Sequence, residues 1–446
     1  MRPTRIPRRS FVRDVAGTSL AATIVPRRVL GRGYQAPSDT VTVACIGVGG
    51  MGRNDVRGLV QAGANLAALC DVDDDAAADA FRSHPQARRY RDWRLLIERE
   101  RDVDAITVST PDHTHAAITM AVLRAGKHVR TQKPLTRTLA EARAVREAAR
   151  QRPRIITQMG NQGHANEGVR ILREWVEAGL IGPVREVHFW TNRPIWPQGI
   201  QRPTELHVPR PTFDWNLWLG PAAERPYNPA YAPFRWRGWW DFGTGALGDM
   251  ACHLMDAAYW ILELGYPSRI DAECSQLFLE TAPRSSRVTF QYPARGTRPA
   301  VTVVWRDGAL VPPKPAEWPA DQLWPFAEDG GQLWIGDEGK LVAGVYAENP
   351  RLLNADRMRQ VTEHPLEQRY PRTRGVYPEW INAITTNTRC GSDFQNHATG
   401  LTEMILLGCI AQRMGTSLEV NPATGQFVSA VPTEFTDPPY RSGWRL

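Results

Sequence analysis

Asp249, His253 and Asp256 recur at helical spacing in the segment Gly243 to Asp256, GTGALGDMACHLMD, which puts two carboxylates and an imidazole on one helix face. A carboxylate four residues before an imidazole can orient the ring and raise its basicity, the arrangement needed to take a proton from a hydroxyl. Seen alone, the pair also fits a capping aspartate and a packed histidine. A second reactive group is Lys133, where the strand-like run Lys127 to Leu135, KHVRTQKPL, stops at a proline. Proline restricts the residue before it to extended geometry and so fixes where the ammonium points. The chain carries four lysines against fifty arginines, so a lysine at this place suggests a task for a compact, tunable cation; a solvated lysine at a strand end is the plain alternative.

Such groups need a frame, and the run Val41 to Gly52, VTVACIGVGGMG, supplies one. An apolar β-branched strand enters glycines at 47, 49, 50 and 52. Gly47 suits a tight turn, Gly49 and the Gly50-Met51 step suit close approach to a pyrophosphate, and Gly52 suits packing of the following helix, Arg53 to Gln61, against the strand. A second strand, Leu66 to Cys70, ends at Asp71, nineteen residues past Gly52. An acid at this distance holds the ribose hydroxyls of a dinucleotide. Its carboxylate would repel a 2′-phosphate, so the expected cofactor is NAD rather than NADP. The segment Ser109 to His115, STPDHTH, follows another strand, which makes Thr110, Pro111, Asp112 and His115 candidates for the cofactor side, with helix capping by Asp112 as the alternative. His113 and His115 are two apart and would point to opposite faces of a strand, so no metal site is expected there or elsewhere.

From 41 to about 157 strands near 41–46, 66–70, 104–108, 127–130 and 154–157 alternate with helical patterns. This predicts a Rossmann-type, doubly wound parallel sheet. Beyond residue 165 the pattern changes to one amphipathic helix, Gly168 to Ala178, and then β-rich runs at Val184 to Asn192, Arg269 to Leu279 and Val301 to Trp305. These predict an α+β domain with a large, mainly antiparallel open sheet. Expected boundaries are 1–37 for a signal and linker, 38–160 for the dinucleotide-binding domain and 161–446 for a substrate-binding and oligomerisation domain. Val311 to Pro325 holds five prolines without periodicity and reads as a surface loop. Helices are expected near Pro378 to Thr386 and His397 to Met414.

Trp190, Trp196, Trp215, Trp218, Trp236, Trp239 and Trp240 cluster with Asn192, Arg193, Arg235 and Arg237. Aromatic faces match the C–H faces of sugar rings, and guanidinium forks match hydroxyls or carboxylates. Most of these tryptophans are expected in the core and about two at the site. Asn161, Gln162 and His164 follow the last parallel strand and would face the same cleft. The expected substrate side is thus Asn161, His164, Asn192, Arg193, Trp196, Arg235, Trp236 and Asp256.

The formal charge of +7 resides in residues 1 to 33, which carry eight arginines and one aspartate; the remainder is neutral. A nucleic-acid partner is therefore not expected. Arg8-Arg9-Ser10-Phe11-Val12-Arg13 is a twin-arginine pattern, followed by a weakly apolar stretch from Val15 to Val25 and by Arg27-Arg28. This predicts export to the periplasm as a folded protein, with a mature start between 31 and 38. The stretch is too short for a membrane anchor. The six cysteines form no CxxC, and reduced, mostly buried thiols are expected.

As a set, the glycine run, Asp71, TPDHTH, Lys133-Pro134 and the Asp249 to His253 spacing resemble the Gfo/Idh/MocA family of NAD(P)-dependent sugar and cyclitol oxidoreductases, over roughly residues 40 to 420. The resemblance implies that Lys133, Asp249 and His253 form the catalytic group and that the chain assembles as a dimer or tetramer through the open sheet face. The chain departs from the family's glutamate-lysine-proline step at Gln132. The resulting expectation is an exported enzyme with tightly bound NAD that oxidises a hydroxyl of a sugar, glycoside or cyclitol. His253 would take the proton, Lys133 would stabilise the alkoxide and Asp249 would orient His253. Two other readings stay open: glycoside cleavage by oxidation, elimination and re-reduction with His164 as extra base, and a sugar sensor without turnover.

Overall fold

Short apolar strands alternate with helices through the first part of the fold, in a computed structural model that describes residues 40–324 and 328–446. The twin-arginine pattern and the expected cleavage region lie outside the described residues. The first sheet is built from β1 (Thr42–Ile46), β2 (Asn65–Cys70), β3 (Arg88–Tyr90), β4 (Ala105–Val108), β5 (His128–Thr131) and β6 (Thr157–Met159). Helices α1 (Gly50–Gln61), α2 (Asp74–Ser83), α3 (Trp93–Arg99), α4 (Asp112–Arg124) and α5 (Leu139–Arg150) connect them. Every pairing is parallel, in the order β3-β2-β1-β4-β5-β6. Strand order reverses between β1 and β4, which opens a crevice at the carboxyl edge. Register aligns that edge: Ile46 faces Cys70 and Val108, Val108 faces Thr131, and Thr131 faces Met159. The loops that follow these strands therefore emerge side by side.

Local signals fix the helix starts. Asp73 caps α2 by accepting from the Asp75 and Ala76 amides. Thr138 and Glu141 cap α5 reciprocally: Thr138 Oγ1 accepts from the Glu141 amide at 3.2 Å and Glu141 Oε2 accepts from the Thr138 amide at 2.9 Å.

The second sheet runs β13-β12-β11-β7-β10-β9-β8-β14, with β7 (Val184–Thr191), β8 (Arg269–Cys274), β9 (Ser286–Tyr292), β10 (Val301–Arg306), β11 (Gly330–Gly336), β12 (Lys340–Ala343), β13 (Arg351–Leu352) and β14 (Leu418–Glu419). Only β7 and β10 pair in parallel; the rest are antiparallel. Alternation along β9, where Val288 and Phe290 are buried and Arg287 and Gln291 exposed, gives the sheet one covered face. Helices α6 (Glu167–Glu177), α7 (Gly245–Leu254), α8 (Val376–Thr386) and α9 (Thr399–Met414) complete the parts used below. Both sheets belong to one compact unit, Val41–Leu446.

The doubly wound parallel sheet and the mainly antiparallel second sheet are those expected, and several element ends differ. β8 stops at Cys274, not Leu279. β6 begins at Thr157, where a strand at 154–157 was expected. His113 and His115 lie in the first turn of α4 rather than in a strand. A π-turn, Phe394–Ala398, precedes α9 where helix was expected from His397. Residues 311–324 contain neither helix nor strand. All six cysteines are free. No helix among the described residues is long and apolar enough to cross a membrane.

Candidate active site

Loops after β1, β2, β4 and β5 meet α7 and an aromatic wall around a cavity of about 590 Å³. One end is the glycine turn. Gly47 has φ +78°, and a Cβ there would lie 2.6 Å from the Ser109 carbonyl oxygen. At Gly52 a Cβ would lie 1.9 Å from the Gly47 carbonyl oxygen, so α1 can start this close to the turn only without a side chain. Gly47, Gly49, Gly50 and Met51 line the cavity, whereas Gly52 acts by packing behind it. The turn and the start of α1 thus form a backbone cradle of the kind that holds a dinucleotide pyrophosphate.

Asp71 closes this turn. Its Oδ2 accepts from the Val48 amide at 2.8 Å and the Gly49 amide at 3.0 Å, and its Oδ1 accepts from the Asp73 amide at 3.0 Å. Burial raises its pKa and these three amides oppose the rise. A carboxylate has lone-pair capacity beyond three donors, and Asp71 stands on the cavity wall where a ribose hydroxyl could reach it.

Thr110, Pro111 and Asp112 also line the cavity. Asp112 is in the first turn of α4, and its Oδ2 accepts from Thr244 Oγ1 at 3.0 Å. Burial, and then the negative charge of Asp249, push its pKa up to about 7. His115 does not reach the wall. Its ring bridges two loops, with Nδ1 against the Pro134 carbonyl oxygen at 2.8 Å and Nε2 against that of Thr110 at 2.7 Å. Two carbonyl acceptors favour the doubly protonated ring, but burial outweighs them and pulls the pKa down to about 4. His115 therefore props the cofactor side from behind.

Lys133, Asp249 and His253 come together on the wall. Lys133 Nζ donates to Asp249 Oδ1 at 2.8 Å and to the Asp249 carbonyl oxygen at 2.7 Å. Arg237 Nε donates to the same Oδ1 at 3.2 Å. Burial would raise the Asp249 pKa, yet Lys133 and Arg237 hold it down to about 2. Asp249 sits in the second turn of α7 and is not an N-cap, since the helix starts at Gly245. The expected bond from Asp249 to the His253 ring is replaced by these two cations. His253 Nδ1 is buried without a hydrogen-bond partner among the described residues. The ring stands edge-on to Tyr346, with centroids 4.9 Å apart. Burial, then the neighbouring Lys133, push its pKa down to about 3, so the imidazole is neutral.

The other end of the cavity is aromatic. Trp196, Trp218 and Trp236 line it with Phe234, Arg193 and Arg237, while Trp190 and Trp239 are core residues. The Arg237 guanidinium lies 4.3 Å from the Trp236 ring centroid and 4.7 Å from that of Phe234.

Five expected substrate residues are elsewhere. Arg235 is exposed and off the wall. Asn192 receives Arg193 Nη1 and donates to Asp329 Oδ1 at 3.3 Å. Asn161, His164 and Asp256 form a buried hub behind α7. Asp256 Oδ1 accepts from Asn161 Nδ2 at 2.7 Å, His164 Nδ1 at 3.1 Å and His397 Nε2 at 2.6 Å. The residue types and spacing of His164, Asp256 and His397 also match a metal-binding set. The Asn161 amide and the two imidazoles all lie within hydrogen-bond reach of the Asp256 carboxylate, with His164 Nδ1 also 3.0 Å from Oδ2, which accounts for the cluster as a hydrogen-bonded hub. His164 is buried and does not line the cavity wall. Of the three residues expected after β6, Gln162 alone reaches the wall. Gln132, noted in the sequence as the departure beside Lys133, lines the wall, and so does Tyr346, which lies in a loop after β12 with no local motif to announce it.

A family profile described as "Oxidoreductase family, NAD-binding Rossmann fold" matches residues 41–160, and its companion, "Oxidoreductase family, C-terminal alpha/beta domain", matches residues 166–301. Inositol 2-dehydrogenase 3 of Saccharopolyspora erythraea is 33% identical over 332 residues, covering 69% of this chain and 93% of that protein. Levoglucosan dehydrogenase of Pseudarthrobacter phenanthrenivorans is 27% identical over 195 residues, covering 44% of this chain and 42% of that protein. The alignments to the first curated relatives thus span less than half of their length. Among solved structures, the WlbA dehydrogenase of Bordetella pertussis in complex with NADH and UDP-GlcNAcA has a TM-score of 0.59 at 17% identity, covering 86% of this chain and 99% of that one. A levoglucosan dehydrogenase in complex with NADH and levoglucosan has a TM-score of 0.58 at 19% identity, covering 85% and 99%. At these identities the structures speak for the fold.

Proposed function

We propose that this chain, which belongs to the Gfo/Idh/MocA oxidoreductase family, oxidises a hydroxyl of a sugar, glycoside or cyclitol with NAD. The supporting observation is the meeting of Lys133, Asp249 and a neutral His253 where the glycine-turn groove joins the aromatic cleft. Bound nicotinamide supplies the hydride acceptor. Trp196 and Trp236 offer faces for the sugar ring. Lys133 Nζ stands where it can donate to the reacting oxygen as charge develops there. His253, neutral and within the same wall, takes the hydroxyl proton. Asp249 holds Lys133 and Arg237 in place and stays ionised throughout.

The proposal includes NAD over NADP, tight retention of the cofactor, assembly as a homo-oligomer, and export by the twin-arginine route. Asp71 on the cavity wall supports the first, and Arg8 and Arg9 the last. A redox-neutral glycoside cleavage remains a second reading, because Asp112, with its pKa near 7, provides a base inside the cleft that His164 cannot. The deciding experiment is to denature purified protein, identify the released nucleotide, and screen a sugar panel for product. A stoichiometric ketone supports net oxidation, a cleaved glycoside without ketone supports the second reading, and no turnover on any member rejects both.

A further inference from the structure

The lysine of the candidate site stands at the end of a buried chain of polar groups that begins on the helix of the glycine turn. Asp55, on α1, is 0% exposed and receives four side chains. Its Oδ2 accepts from Ser109 Oγ at 2.6 Å and Gln132 Nε2 at 2.8 Å. Its Oδ1 accepts from Gln132 Nε2 at 3.0 Å, Arg130 Nη1 at 3.0 Å and Tyr377 Oη at 2.9 Å. Arg130 is itself buried, stacks over Tyr377 at 4.8 Å and donates Nε to Gln158 Oε1 at 3.0 Å.

An ionised carboxylate only accepts, so the amide of Gln132 must turn its Nε2 to Asp55. Its Oε1 is thereby aimed at the Lys133 amide, which donates to it at 3.3 Å. Gly160 leaves room for this conformer, since a Cβ there would come within 2.6 Å of Oε1. Gln132 thus converts the position of Asp55 into the position of the Lys133 backbone, and Lys133 Nζ reaches on to Asp249.

We infer that Asp55 is a positioning residue for Lys133, acting through the Gln132 amide and tying the lysine to the helix and loop that flank the cofactor groove. The inference rests on the dehydrogenase reading above and deepens it. It makes residue 132 a place where a donor is required: the site holds one carboxylate, on Asp55, and needs an N–H or O–H opposite. Glutamate at 132 can meet that need only while protonated.

The test is Gln132→Glu beside the double variant Asp55→Asn/Gln132→Glu, which moves the carboxylate to the other partner. Charged or titratable groups around the pair are Arg130 on β5, Tyr377 on α8, Cys45 on β1 and Lys133 itself; each is present in all variants, so ratios to wild type isolate the pair. With sugar and NAD saturating and well below the melting temperature, Gln132→Glu is expected within about twofold of wild-type kcat at low pH and reduced about tenfold or more at high pH, as its proton leaves. The double variant is expected to lose this pH dependence and regain most of kcat. Equal kcat of Gln132→Glu and wild type at every pH, or a double variant no better than the single one, would overturn the inference. If wild type turns over no sugar, amine labelling still decides: with four lysines in the chain, mass spectrometry reads each one. Faster acylation of Lys133 in Gln132→Glu at high pH, with Lys127, Lys314 and Lys340 unchanged, supports the positioning role; unchanged Lys133 labelling rejects it.

Discussion

Lys133 is tied to Asp249 at two points, the carboxylate Oδ1 at 2.8 Å and the main-chain oxygen at 2.7 Å. The second tie does not depend on the side chain at 249, so the two residues are unequal under mutation. Lys133→Ala removes the donor to the reacting oxygen and is expected to lower kcat by about a hundredfold or more. Asp249→Asn keeps the main-chain acceptor and is expected to cost about tenfold less than that. Steady-state kinetics with saturating NAD measures both, and near-normal turnover of Lys133→Ala would remove its assigned role.

His253 is expected to be the proton acceptor, so His253→Ala should reduce kcat by about a hundredfold with nucleotide affinity nearly unchanged. The ring also has a stability signature. Its pKa falls from 6.5 in the unfolded chain to about 3 when folded. In that window the unfolded state binds a proton that the folded state refuses, so the group subtracts stability as pH falls. His253→Gln should therefore lose less melting temperature than wild type between pH 6.5 and pH 4, measured by calorimetry; an equal loss would contradict the buried neutral ring.

The features legible in the sequence are those carried by local spacing. The glycine run and Asp71 are one turn and one strand end, and the register of β1 with β2 brings them together. Lys133 was visible because lysine is rare in this chain. The placement of Asn161, His164 and Asp256 off the cavity wall was not legible because their partners are remote: His397, which is 141 residues from Asp256, completes the buried hub that holds His164. The contacts of Asp249 were not legible for the same reason. Helical spacing put it beside His253, but Lys133 and Arg237 arrive from other elements and offer charge, which a neutral imidazole does not.

Asp112 gives a pH dependence of opposite sign. Its carboxyl moves from 3.8 unfolded to about 7 folded, so between these values the folded state holds a proton that the unfolded state has lost. Stability should decline as pH rises through that window and level off above it. Asp112→Asn keeps an acceptor for Thr244 Oγ1 and removes the charge, and it should gain on the order of 1–3 kcal/mol over wild type at pH 8 relative to pH 4. Denaturant unfolding at the two pH values measures the difference; no change in the gap would place the charge of Asp112 in solvent.

Asp71 decides the expected cofactor preference. With three amides already on its carboxylate, it is fixed in place and cannot swing away from a 2′-phosphate. Arg53, the cation next to the glycine turn, is engaged with Asp79 at 2.5 Å. NAD should therefore bind about tenfold or more tightly than NADP, since a fixed like charge disfavours the phosphate. Calorimetric titration of nucleotide-free protein checks this, and equal or tighter binding of NADP would overturn it.

Twin-arginine export carries folded proteins, so an exported dehydrogenase can load its nucleotide before leaving and cannot rely on a free pool afterwards. A cofactor that stays bound must return to its starting redox state on the enzyme. Either a second substrate takes the hydride back, or the same substrate is oxidised, altered and reduced again. The second route needs a base for the carbon next to the transient ketone. Asp112 is inside the cleft with a pKa near 7, whereas His164 is shut behind α7 on Asp256. NAD should copurify with the protein, and turnover should proceed without added nucleotide. Asp112→Asn should then block cleavage while leaving the first hydride transfer, so that absorbance of reduced nicotinamide accumulates in a single turnover. Protein isolated free of nucleotide, and active only while consuming NAD in proportion to product, would exclude the closed cycle and leave simple net oxidation.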